Sequence, residues 1–126
     1  MNKVHFMSTT DHWSTPSLIY HELNKEFDFN DDPCPLHSYE DGLNRPWGSK
    51  TFVNPPYSKI KDWVEKAYKE HCCGQTVVML IPSRTDTRWW HDYVMKAAEI
   101  RFIKGRLKFG NAKNSVPFPS CIVVFK

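Results

Sequence analysis

The 126-residue chain carries 17 Lys or Arg against 14 Asp or Glu, a formal charge of +3, with 40% hydrophobic residues and five Trp. That is apolar enough for one buried core and too short for two domains, and it argues for a globular chain and against a disordered one. No apolar run approaches the roughly 18 to 20 residues of a membrane span, and MNKVHFMSTTDHW lacks an apolar core of signal-peptide length, so a cytoplasmic protein without membrane contact is expected.

The charge is unevenly placed. Residues 100–126 hold six Lys or Arg and no acid, which makes that segment +6 and the remainder −3. A basic C-terminal quarter suits a polyanionic partner, and an ordinary solvated basic face accounts for it equally well. Cys34, Cys72, Cys73 and Cys121 form no C-x-x-C pair. Adjacent cysteines bridge poorly, so reduced thiols are expected, and the scattered His residues give no support for a metal site.

In chain order, residues 1–12 read as a loosely ordered start. Thr15 followed by Pro16 is a helix start, a hydroxyl N-cap with proline at the first helical position. Ile19, Tyr20, Leu23 and Phe27 then share one helical face. FDFND (27–31) reads as a short strand stopped by DPCP, 36–49 as a turn-rich stretch, and Lys50–Val53 as the next strand. Ser58 is placed to cap a second helix, whose stripe Ile60, Trp63, Val64, Ala67, Tyr68 has i, i+3, i+4, i+7, i+8 spacing and which Gly74 ends.

TVVMLI (76–81), closed by Pro82, has the continuous apolar character of a strand buried on both faces. A third helix is expected after Asp86, with Trp89, Trp90, Tyr93, Val94 and Ala97 as its stripe. EIRFI (99–103), RLKF (106–109) and SCIVVF (120–125) read as strands. Alternating strands and helices predict one α/β domain over 1–126 with a mostly parallel sheet. Ligands of such sheets bind at the carboxyl ends of the strands, where DDPCP, NPPYS and PSRTDT fall.

Of these, NPPY after an apolar strand carries the most chemistry. The Asn54 side-chain oxygen and the Pro55 carbonyl are two acceptors held close together, Pro56 stiffens the turn, and Tyr57 offers a flat ring. A planar heteroaromatic amine can donate both hydrogens to this pair while its ring stacks on Tyr57. Two acceptors at tetrahedral positions favour the sp³-like nitrogen of a transition state over the planar ground state. An amide is no general base at neutral pH, so the work is positioning and electrostatics. A rigid strand-to-helix loop is the plain structural alternative. A WW-domain ligand is not, since that motif is P-P-x-Y.

NPPY resembles the catalytic motif of the amino-group methyltransferases that use S-adenosylmethionine (AdoMet). The ordered set DHWSTP (11–16), FDFNDDPC (27–34), DGLNRPW (41–47), FVNPPYS (52–58), IPSRTDTRWWH (81–91), IKGRLKFG (103–110) and PFPSCIVVF (117–125) resembles the phage-type, Dam-like DNA N6-adenine methyltransferases over nearly the whole length. The resemblance implies a minimal class I, Rossmann-like methyltransferase fold with a reduced sheet. It implies methyl transfer to the N6 amine of adenine in DNA, catalysed by Asn54, Pro55, Pro56 and Tyr57 in the host cytoplasm if phage-encoded. It further implies that Asp32, Pro33 and Cys34 contact the methionine part of AdoMet, together with Asn54, and that Trp13, Thr15 and Pro16 close the other side. Without that resemblance, Thr15-Pro16 is a helix cap and Asp32 a turn former before proline.

The chain departs from the wider superfamily at the cofactor site, where it has no Gly-rich turn and no glycine until Gly42. The interval from Cys34 to Lys50 is too short for the two further strand–helix units of the larger fold, since one crossover takes a dozen or more residues. With them goes the acid that holds the cofactor ribose, for which Glu40 or Asp41 are the substitutes at hand. The glutamine-N5 methyltransferases share NPPY but carry the Gly-rich loop, and are the chemical alternative together with RNA as substrate. A non-catalytic nucleic-acid or AdoMet-binding module is the alternative of another kind.

On the DNA side, Tyr57 and Ser58 would meet the base. Arg84 and Asp86 would pair to shape the cleft, or Arg84 would meet a phosphate, or Asp86 would merely cap a helix. Trp89 and Trp90 have core spacing. Arg106 and Lys108 alternate with Leu107 and Phe109, as in a phosphate-contacting ribbon or a solvated strand face, with Gly105 as a bend and Lys113 and Asn114 in the loop beyond. No stretch suffices for a separate target-recognition domain, so the loops 36–49 and 110–117 or a homodimer would read sequence. The sheet edge left by the missing strands also favours a homodimer.

Overall fold

The computed structural model describes residues 13–35, 41–108 and 115–126. The expected loose start over 1–12, the 36–40 and 110–114 parts of the two loops, and with them Glu40, Phe109, Lys113 and Asn114, lie outside the described residues. The elements are α1 (Ser17–Phe27), β1 (Lys50–Val53), α2 (Ile60–Cys72), β2 (Thr76–Pro82), α3 (Arg88–Asp92), β3 (Glu99–Phe102) and β4 (Ser120–Phe125).

The strands form one sheet in the order β1-β2-β4-β3. Only β1 and β2 pair in parallel, whereas β4 runs antiparallel to both β2 and β3. The mostly parallel sheet is therefore corrected to a mixed one. Among the described residues no helix separates β3 from β4, and β4 lies reversed between β2 and β3.

Alternation along the strands divides the core in two. Val53, Val77, Met79, Ile81, Cys121 and Val123 meet the α2 stripe of Trp63, Val64 and Ala67. Phe52, Val78, Leu80, Ile122 and Val124 meet Leu23 of α1 and the half-buried Ile19 and Tyr20. Helices thus cover both faces, as the unbroken apolar runs of β2 and β4 require. Fully burying one such side chain contributes about 1.5–3 kcal/mol. Trp89 and Trp90 are core residues of the α2 side.

Several local expectations are corrected. FDFND is not a strand: Phe27 ends α1, Asp28 takes a left-handed φ of 56°, and the segment touches the sheet through one parallel bridge, Asp31 to Thr51. That bridge still occupies the outer edge of β1, with Asn30 donating to Lys50 at 2.8 Å and Phe52 to Asp31 at 3.0 Å through their backbones. Residues 106–108 are likewise no strand. The chain turns at Gly105, whose φ is +77°, and Leu107 accepts one backbone bond from Val116 at 2.9 Å.

The caps differ too. α1 starts at Ser17 with Pro16 ahead of it and no side-chain cap, so Thr15 is not the N-cap. α2 is reached through a 3-10 turn, Tyr57–Lys59, and its N-cap position is Lys59, so Ser58 does not cap it. The third helix is short and is capped by Thr87, whose hydroxyl accepts from the Trp90 N–H, and Asp86 plays no part in that cap.

Candidate active site

β1 ends at Val53, and Asn54 follows it directly, buried beside the strand end. Phe52 and Val53 anchor opposite faces of the sheet, and Asn54 is 4% exposed. Its Nδ2 donates to the Trp13 carbonyl and, at 3.0 Å, to the Thr15 hydroxyl. Thr15 therefore meets Asn54 instead of capping α1. An amide turned the other way would set its oxygen against the Trp13 carbonyl, so these bonds fix the acceptor end of Asn54 away from the segment ahead of α1.

Pro55 is buried and Pro56 is extended, at φ −66° and ψ 139°. The backbone then closes into the turn that carries Tyr57 and the exposed Ser58. The Tyr57 ring is half-buried and meets Phe118 edge-on, centroid to centroid 4.9 Å at 81°. The strand, the prolines and a second aromatic residue thus hold the Tyr57 ring in place.

The 32–34 turn sits beside β1 because Asp31 is bridged to Thr51. Arg45 donates twice to the Asp31 carboxylate, at 2.7 and 2.9 Å, and Gly48 N–H donates at 2.9 Å. The Arg45 bonds, with that of Gly48 after them, hold the Asp31 carboxyl below its usual range against the opposing effect of desolvation. Asp32 Oδ1 accepts from Cys34 N–H at 3.2 Å, a local side-chain turn before the buried Pro33. Burial, with Asp32 as the lesser cause, pushes the Cys34 thiol up to about 12.

Between these elements lies a cavity of about 330 Å³, lined among others by Trp13, Thr15, Asp32, Cys34 and Asn54. Five of the residues expected to hold a cofactor are therefore brought together. Pro16 and Pro33 are not among the lining residues, while Tyr20 and Phe52 supply apolar surface that sequence reasoning missed. Tyr57 and Ser58 lie on the turn just beyond the lining residues. Arg84 and Asp86 are both exposed in the turn after β2 and form no ion pair with each other. Arg106 and Lys108 are exposed on either side of the half-buried Leu107, which packs into the core of the α1 side. The Asn54 clamp, the Asp31–Arg45 pair and Phe118 were not anticipated. Each is a long-range contact that no local pattern announces.

A buried amide at the end of a parallel strand, opening on a cavity with one acidic and one aromatic turn, defines a small α/β protein of the ligand-binding class. Residues 4–121 match the family described as DNA N-6-adenine-methyltransferase (Dam), and the chain belongs to that family of DNA-modifying enzymes. It is 29% identical over 119 residues to the DNA N-6-adenine-methyltransferase of Haemophilus phage HP1 (strain HP1c1), across 82% of this chain and 69% of that protein. It is 30% identical over 110 residues to the DNA N-6-adenine-methyltransferase of Escherichia phage T1, across 77% of this chain and 46% of that protein.

Proposed function

We propose that the chain transfers a methyl group from AdoMet to the N6 amine of adenine in DNA, using Asn54, Pro55, Pro56 and Tyr57 as its acceptor site. The orientation of Asn54 carries this reading. Its Nδ2 is held by Trp13 and Thr15, so the oxygen is the end turned away from them, the end that an incoming amine would need. The Pro55 carbonyl is the second acceptor, and the Tyr57 ring is the stacking face. Such a constellation favours the pyramidal amine of the transition state without needing a base of high pKa. Adenine must leave the duplex to reach it, since its amine is inaccessible in the stack.

The cavity beside Asn54 fits the cofactor in size and in chemistry. At about 330 Å³ it lies within the span of small-molecule sites, with apolar walls and a few convergent polar groups. Asp32 suits the ammonium of the methionine part, and Trp13 and Tyr20 suit flat or apolar portions. When bound there, AdoMet supplies an electrophilic methyl group. Cys34 remains a protonated thiol at neutral pH, because burial and Asp32 raise it to about 12, and so does not compete as a nucleophile. On the DNA side, the exposed Arg84, Arg106 and Lys108 are suited to phosphates, and Ser58 and Asp86 to polar contacts at the rim. The minimal Rossmann-like domain acts in this reading as a homodimer, for which a monomeric mass with and without DNA would count against it.

The test is Asn54→Ala. Methyl transfer from labelled AdoMet to DNA is expected to vanish while calorimetric AdoMet binding persists. Full activity in that variant would overturn the mechanism, and absence of AdoMet binding by the unaltered protein would favour a non-catalytic module.

A further inference from the structure

We propose that the Trp13 carbonyl and the Thr15 hydroxyl are positioning groups for the Asn54 amide, so that the segment ahead of α1 belongs to the acceptor site as well as to the cavity wall. The inference rests on the proposed role of Asn54. The two ends of an amide have nearly the same shape and opposite hydrogen-bonding character. An amine substrate meets an acceptor in one orientation and a donor in the other, so rotation of the group by half a turn would extinguish the site without moving an atom of the backbone.

Asn54 is buried at the mouth of a strand, where only hydrogen bonds can choose between those orientations. The Trp13 carbonyl can only accept, so it admits the Nδ2 end alone. The Thr15 hydroxyl can donate or accept, and against Nδ2 it must accept. A backbone carbonyl supplies the polarity and a side-chain oxygen supplies the angle. Both groups also line the cavity that holds Asp32 and Asn54. A ligand filling that cavity therefore presses on the residues that aim the amide, which couples cofactor occupancy to acceptor geometry.

The consequences are specific. Thr15→Val keeps the shape and loses the acceptor, and Thr15→Ser keeps it. Methyl transfer to DNA is expected to show kcat about tenfold lower in Thr15→Val, as for one lost net hydrogen bond, with Thr15→Ser near the unaltered enzyme. Because Thr15 also lines the cavity, the calorimetric Kd for AdoMet is expected to rise up to about threefold in Thr15→Val, less than kcat falls, and to return toward the unaltered value in Thr15→Ser. Unchanged kcat in Thr15→Val, a loss confined to the AdoMet Kd, or a failure of Thr15→Ser to restore kcat would overturn the proposal. A second readout does not depend on catalysis. In protein labelled with ¹⁵N-asparagine, the Asn54 side-chain amide protons are expected to exchange with solvent about tenfold faster in Thr15→Val than in Thr15→Ser. Equal exchange rates would refute the positioning role. Faster exchange in a protein that methylates no DNA would leave the clamp standing and remove the assigned reaction.

Discussion

Gly42 lies so close to the 32–34 turn that a β-carbon at residue 42 would stand 2.8 Å from the Pro33 Cβ and 2.9 Å from its carbonyl carbon. The turn that faces the cavity contains no glycine of its own, and the close approach it needs is provided by a glycine from the next loop. Trp47 fixes that loop by donating its indole N–H to the Gly42 carbonyl at 2.7 Å, while its ring stacks on Trp63 of α2 at 6.0 Å. Gly42→Ala is therefore expected to push Pro33 and Asp32 out of place. Overpacking of this kind costs about 1–3 kcal/mol. Chemical denaturation should register that loss, and calorimetry should show AdoMet binding weakened well beyond what an exposed Gly→Ala change produces. Unaltered binding would mean that the 32–34 turn does not hold the cofactor.

Asn54→Asp probes the polarity of the acceptor site. A carboxylate has no hydrogen for the Trp13 carbonyl, so the ionised side chain would face an acceptor in a buried position. Burial disfavours the charged form and raises the folded-state pKa above the unfolded value of about 3.9. The folded state then binds more protons than the unfolded one between the two values, so the stability of this variant falls as pH rises through that window. The protonated acid can donate one hydrogen to Trp13. Activity is expected to drop about 100-fold at neutral pH, as for a lost preorganised contact, and to recover partly toward acid. A pH–rate profile parallel to that of the unaltered enzyme would contradict this account.

Asp31 gives a pH dependence of the opposite sign. Its folded-state pKa is depressed by Arg45, so the stability it contributes is present above about 3.9 and is lost as pH falls through the folded value. Asp31→Asn should lower stability at neutral pH and flatten the acid limb of the denaturation profile. The structural cost should appear at the bridge to Thr51, which the Arg45 and Gly48 bonds hold in place. Urea midpoints between pH 2 and 7, as a span covering the ordinary carboxylate range, test this, and identical acid limbs in the two proteins would refute it.

The parts of this molecule that were legible in its sequence are those where one residue type has one use. Six of the seven residues of β2 and all of β4 are buried, and their unbroken apolar runs say so directly. The α2 stripe is equally plain. What the runs do not encode is direction, because a strand apolar on both faces fits a parallel or an antiparallel neighbour. Polar residues near turns were the harder case. The 27–31 segment has strand composition, yet the Asn24 side chain takes the Phe29 N–H at 2.9 Å and the Asn30 side chain takes the Lys50 N–H at 3.1 Å. Side-chain oxygens replace ladder partners there. Thr15 before proline looks the same whether its hydroxyl caps a helix or meets Asn54, 39 residues away. The rigid turn after β1 was legible in NPPY, and the hydrogen bonds that hold the Asn54 amide were not.

Arg106 and Lys108 would face the phosphates of DNA in the proposed reaction. Both are exposed next to the turn at Gly105, with Leu107 between them rooted in the core, so the pair is carried by an anchored segment without a strand ladder. A residue that neutralises a phosphate releases counterions, and each such contact contributes close to one unit to the dependence of log K on log salt concentration. The double variant Arg106→Ala, Lys108→Ala is expected to bind duplex DNA more weakly and with a salt slope shallower by about two units. Its AdoMet affinity should be unchanged, because neither residue lines the cavity. Fluorescence anisotropy with labelled duplex across a salt series measures the slope. A slope equal to that of the unaltered protein would assign these two cations to plain solvation and move the phosphate contacts elsewhere, with Arg84 after β2 as the next residue to replace.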